Sequence, residues 1–121
     1  MPLVEKVVHI YEPNPLACGQ AVLAMLSGID VNEIFDLVKT ENETTLKDMK
    51  LALDVLGISY KNEKIAVSEK NELPRVAILS LETPKCWHWS LYFDGLFYDP
   101  EYGVLENFPP SNRRYFWEIT P

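Results

Sequence analysis

The tightest constraint on the fold of this chain is the run Trp87-His88-Trp89-Ser90-Leu91-Tyr92-Phe93-Asp94-Gly95-Leu96-Phe97-Tyr98-Asp99-Pro100. Asp-Gly between two alternating, aromatic-rich segments signals a two-residue β-hairpin, because both central turn positions need positive φ. Placing the turn at Asp94-Gly95 fixes the register. Phe93 then faces Leu96, Tyr92 faces Phe97, Leu91 faces Tyr98 and Ser90 faces Asp99. Strand alternation puts Trp87, Trp89, Leu91 and Phe93 on one face with Leu96 and Tyr98, an apolar set expected in the core. His88, Ser90 and Tyr92 share the other face with Phe97 and Asp99. His88 and Asp99 become diagonal neighbours, about 7–8 Å apart at the backbone, a gap that side chains span. A slip of one residue would separate them.

The remaining segments follow from local signals. Lys6–Tyr11 alternates weakly and is expected as a short strand. Glu12-Pro13-Asn14-Pro15 is a stiff loop, since each proline fixes its own φ and biases the residue before it away from helix. A helix starts near Cys18 and ends at Ser27-Gly28, with Gly28 as C-cap. Asp30 and Glu33 form a capping-box pattern opening a second helix to about Lys39, with Ile34, Phe35 and Val38 inward. Thr44 or Thr45 caps a third, where Leu46, Met49, Leu53 and Leu56 recur at helical spacing until Gly57. The period then changes. Ile58–Lys61, Ile65–Val67, Pro74–Leu81 and Tyr115–Thr120 are the further strand candidates. Helices first and an antiparallel meander after them imply an α+β fold, and 121 residues allow one domain over 1–121.

Composition excludes several function classes. A net charge of −7 offers no basic stripe for nucleic acid or an anionic membrane, and Arg113-Arg114 is too small a patch to change that. The longest apolar stretch, Ala21–Leu26, is too short to span a bilayer. The first residues lack the basic start and apolar segment of a secretory signal. Two cysteines, Cys18 and Cys86, do not make a disulfide framework, so the expected location is the cytoplasm.

Three residues could carry chemistry. Cys18 stands at a helix start, where backbone N–H groups and the helix dipole favour an anion, and the thiolate is the nucleophilic form of cysteine. Gly19 is expected to leave room for a substrate backbone beside the sulfur. A neutral His88 can take the thiol proton and return it to a leaving amine. A carboxylate from Asp99 on the far ring nitrogen would fix the tautomer and stabilise the imidazolium. Each has a plain alternative: a buried structural cysteine, a histidine satisfied by a carbonyl, a turn aspartate before proline. Their order and shared face make the catalytic combination more specific than any one of them. Tyr92 and Phe97, on the same face, are candidate substrate walls. A metal site from Cys18, Cys86, His88 and His9 or Asp99 lacks paired ligand spacing, so no metal or organic cofactor is expected. A Cys18–Cys86 redox pair is a further, weaker reading.

These residues resemble the papain-like cysteine peptidases of the bacteriocin leader-processing, or double-glycine, type and their stand-alone relatives. The similarity lies in Cys18-Gly19-Gln20-Ala21 opening a helix, in Leu73-Pro74 followed by the apolar Val76–Leu81 and then His88, and in Asp99-Pro100 with Gly103 close behind. The Thr44–Gly57 helix ending in Leu-Gly is similar too, so the resemblance spans about residues 10–104. It implies a papain-like fold with N-terminal helices on a C-terminal antiparallel sheet. The implied activity is cleavage of a peptide or other amide bond through a Cys18-His88-Asp99 triad and a thioester, with a peptide or protein as substrate. One position departs from the family. A glutamine six residues before the nucleophile supplies an oxyanion donor in the family, and here that position is Glu12. An ionised carboxylate cannot donate a hydrogen bond. Either Glu12 is protonated, or Asn14 joins the Cys18 N–H as donor, or the domain binds peptides with weak or no cleavage.

Overall fold

In the computed structural model, which describes residues 3–120, the Asp94-Gly95 turn takes the primed geometry. Both central residues have positive φ, 46° at Asp94 and 90° at Gly95. Arg75, the residue before the neighbouring strand, fixes the turn. Its guanidinium donates to both Asp94 carboxylate oxygens at 2.6 and 3.2 Å, and its carbonyl accepts from the Asp94 N–H at 2.9 Å. The register is the one the turn dictates, with Leu91 opposite Tyr98, Tyr92 opposite Phe97 and Phe93 opposite Leu96.

Three helices come first: α1 (Cys18–Ser27), α2 (Val31–Val38) and α3 (Leu46–Leu56). Four of the six helix ends have a local chemical cause. Asp30 caps α2 by accepting from the Asn32 N–H, and Thr45 and Asp48 form a reciprocal capping box on α3. Gly28 and Gly57 close α1 and α3 in the left-handed region. Every residue of α1 from Cys18 to Leu26 is buried, the polar Gln20 included, so this helix is central.

The strands are β1 (Ser59–Tyr60), β2 (Ile65–Ala66), β3 (Val76–Glu82), β4 (Trp87–Phe93), β5 (Leu96–Asp99), β6 (Gly103–Leu105) and β7 (Arg114–Thr120). They form one seven-stranded sheet in the order β1-β7-β3-β4-β5-β6, with β2 also on β7. All pairings are antiparallel. The chain is therefore α+β, with its helices ahead of its sheet. Among the described residues no helix is long and apolar enough to cross a membrane.

Both faces of the sheet are covered. On one, Val22, Leu23, Met25 and Leu26 of α1 pack with Ile78, Leu91, Phe93 and Ile119. On the other, Ala77, Leu79, Leu81, Tyr92, Phe97 and Phe116 form a second cluster with Val67, Leu73, Leu105 and Phe108. This corrects two expectations. Tyr92 and Phe97 are core side chains, closed over by the segments around residues 67–73 and 105–108. Trp87 is not in the core but 46% exposed. It occupies the last rung of the β3–β4 ladder, opposite Glu82, where its ring meets Tyr115 and the Arg113 guanidinium. Lys6–Tyr11 forms no strand either. His9 and Glu12 make isolated hydrogen bonds to the carbonyls of Asp99 and Pro100, and prolines follow at once.

A β-carbon on Gly95 would meet nothing within 4 Å, so replacing this residue tests backbone strain alone. Gly95→Ala is expected to lower the unfolding free energy by about 1 kcal/mol in urea titration, through the positive φ that alanine resists. An unchanged midpoint would mean that the turn does not constrain the hairpin.

Candidate active site

Cys18 is the first residue of α1, and Ala17 before it offers no capping side chain. The N–H groups of the first helical turn are thus left to whatever lies beside them. The sulfur itself accepts a hydrogen bond from the Trp89 main-chain N–H, at 3.4 Å. That contact brings α1 onto β4, one residue beyond His88.

His88 and Asp99 meet as the register requires. His88 Nε2 donates to Asp99 Oδ1 at 2.9 Å, with the two side chains 5% and 0% exposed. Asp99 Oδ1 also accepts from the N–H groups of Glu101 and Tyr102, at 2.8 and 2.9 Å. The turn after β5 therefore orients the carboxylate that orients the imidazole. His9 steadies the same residue from the other side by donating from Nε2 to the Asp99 carbonyl at 2.7 Å. With Nε2 committed to Asp99, Nδ1 is the ring nitrogen left free, and the Cys18 side chain lies near enough to the ring to favour its protonated form.

The electrostatics match this chain of contacts. Burial works against a charged His88. The hydrogen bond to Asp99 and the neighbouring Cys18 side chain, with the charges of both, outweigh it and push the imidazole up to about 10. Burial likewise pushes the Asp99 carboxyl up, but the hydrogen bond and charge of His88 and the Tyr102 and Glu101 N–H groups hold it below the ordinary range. Asp99 and Cys18 thus both favour the protonated ring, against its burial.

A cavity of about 190 Å³ opens beside these groups. Cys18 and His88 line it, with Leu16, Thr44, Trp87 and Trp89 among the other walls. The tryptophans take the place expected of Tyr92 and Phe97.

Of the remaining site candidates, Gly19 and Asn14 are taken up by packing and loop contacts. Gly19 faces the protein, not a substrate: a β-carbon there would overlap the Thr44 hydroxyl. The glycine lets the 40–45 segment press against α1. Asn14 is tied into the loop before α1, its Oδ1 accepting from the Leu16 N–H and its Nδ2 donating to the Glu41 carbonyl, both at 2.9 Å. It does not line the cavity. Glu12 does stand in the field of the site. Burial pushes its carboxyl up, and Glu101 and Asp99 add to that, while His88 and Lys85 pull it down. Its Oε1 is buried with no hydrogen-bond partner. Cys86 is an exposed free thiol on the cavity wall.

Sequence reasoning did not find three contributors: His9 on Asp99, the Trp89 N–H on the sulfur, and Gln20. Gln20 is fully buried and donates from Nε2 to the carbonyls of Thr40 and Asn42 at 3.0 and 2.7 Å. Long-range polar contacts to main-chain atoms leave no periodic trace in a sequence.

The pH dependence of stability reads out the His88–Asp99 link. A raised His88 adds stability fully present below about 6.5, its unfolded value, and lost as pH rises towards about 10. A lowered Asp99 adds stability present above 3.8 and lost as pH falls through its depressed value. The unfolding free-energy difference between wild type and His88→Asn is therefore expected to shrink from pH 6.5 to pH 10 in urea titrations. A difference that stays constant across that window would contradict the link.

The chain matches no family model and no curated protein.

Proposed function

We propose that the protein is a papain-like cysteine hydrolase that cleaves a peptide or other amide bond. The observation that carries this reading is the buried His88–Asp99 hydrogen bond with the Cys18 thiol and His88 on the wall of one cavity of about 190 Å³. The helix bearing the thiol lies against the sheet bearing the histidine and the aspartate, the arrangement that the resemblance implies.

The chemistry follows from the contacts. The Cys18 sulfur attacks the carbonyl carbon, and electrons pass to the carbonyl oxygen. His88 Nδ1, holding the thiol proton, delivers it to the leaving amine, and a thioester to Cys18 remains. Water, deprotonated by the same nitrogen, attacks the thioester and releases the acid and the thiol. Asp99 keeps the ring oriented and the imidazolium favoured throughout.

Glu12 supports a second reading, a weakly cutting or non-cutting peptide-binding module. As a carboxylate near His88 it repels a developing oxyanion; as a protonated acid, which its burial favours, it can donate to one. One oxyanion donor is worth roughly 100- to 1000-fold in rate. Glu12→Gln is therefore expected to raise the rate of Cys18 acylation at pH 7.5 by about tenfold or more, and to flatten any rise towards acid pH. No gain would remove Glu12 from the oxyanion side of the site.

The thiol is tested without a known substrate. At pH 6 an ordinary thiol is almost wholly protonated and reacts slowly with iodoacetamide. Cys18 is expected to be alkylated faster than the more exposed Cys86, by peptide mass mapping, with His88→Ala removing the difference. Equal, slow alkylation of both would defeat the activated-thiol reading.

A further inference from the structure

One wall of the cavity comes from the segment 40–45, through Glu43 and Thr44. It is held in place by more polar bonds than a surface turn needs. The buried Gln20 spends both amide hydrogens on the Thr40 and Asn42 carbonyls. Trp89 Nε1 donates to the Thr44 carbonyl at 3.1 Å, and Asn14 Nδ2 to the Glu41 carbonyl. Thr44 is wedged against Gly19. This fixed segment presents one exposed carboxylate, Glu43, on the cavity wall.

Glu43 is the sole carboxylate lining the cavity among the described residues. The apolar surface comes from Pro15, Leu16, Trp87 and Trp89. The cations that flank this region are already paired, Lys85 with Glu101 at 3.7 Å and Arg113 with Glu82 at 2.7 Å. Glu43 makes no ion pair among the described residues. An indole-walled slot with a free carboxylate matches a long side chain that is apolar along its stem and cationic at its tip.

We propose that this cavity selects a lysine or arginine side chain beside the bond that Cys18 attacks, with the methylenes along the tryptophans and the cation at Glu43. The proposal rests on the acyl-transfer reading for its place in a reaction, but the charge preference of the cavity is measurable without turnover.

The experiment uses the full chain carrying Cys86→Ser, so that Cys18 is the sole thiol. Its modification is timed with cationic (aminoethyl), neutral (methyl) and anionic (sulfonatoethyl) methanethiosulfonates. The cationic reagent is expected to react fastest and the anionic slowest. Glu43→Gln should shrink the cationic-to-anionic ratio about three- to tenfold, while Glu106→Gln, an exposed carboxylate away from the cavity, leaves it unchanged. A second arm times peptide amides carrying Lys, Leu or Glu before a fluorogenic amine. The Lys peptide should lead, and Glu43→Lys should transfer the lead to the Glu peptide. Modification of Cys18 with a ratio indifferent to Glu43→Gln would overturn the pocket assignment. A Glu43-dependent ratio with no turnover of any peptide would keep the pocket and remove the hydrolase.

Discussion

The register of β4 against β5 is the constraint on which the site depends. Asp94 and Gly95 admit one turn geometry, and that turn decides which residues of the two strands share a side. With His88 and Asp99 on the same side, a 2.9 Å hydrogen bond closes between two almost wholly buried side chains. A shift by one residue would put the imidazole among the helices and leave the buried carboxylate without its side-chain partner, at a cost that burial makes large. Arg75, just before β3, reinforces the turn, so the entry to a central strand also anchors the site's geometry.

A second layer of contacts sets the thiol against that pair. The wholly buried α1 runs beside β4, and the Trp89 N–H holds the sulfur next to the residue that carries the imidazole. The segment 40–45 is then fastened across the start of α1 by Gln20 and Trp89 and by the missing side chain of Gly19. His9 and the Glu101 and Tyr102 N–H groups do the same for Asp99. Polar groups of the site are thus positioned mainly by main-chain atoms, whose places the sheet and helix fix.

Local chemistry made much of this readable from the sequence. Caps at Asp30 and Thr45 and stops at Gly28 and Gly57 delimit the helices, and Asp94-Gly95 gives the register. Alternation states which side of a strand a residue takes; it does not state what lies over that side. Tyr92 and Phe97 were therefore expected at a substrate wall but close a second core, while Trp87, expected inside, stands at the cavity. Gly19 and Asn14 show the same limit. A glycine and an asparagine near a nucleophile are equally suited to substrate contact and to packing a loop, and only the position of Thr44 and Glu41 decides. The strand β6 was missed because its three residues follow a tight turn and carry little apolar pattern of their own.

The most direct measurement is to expose the protein to p-nitrophenyl acetate and follow its intact mass, with peptide mapping of the adduct. The account predicts a single acetyl group on Cys18 that forms quickly, decays as the thioester hydrolyses, and is absent from Cys18→Ser and strongly delayed in His88→Ala. No adduct on Cys18, or one formed at the same rate without His88, would contradict it.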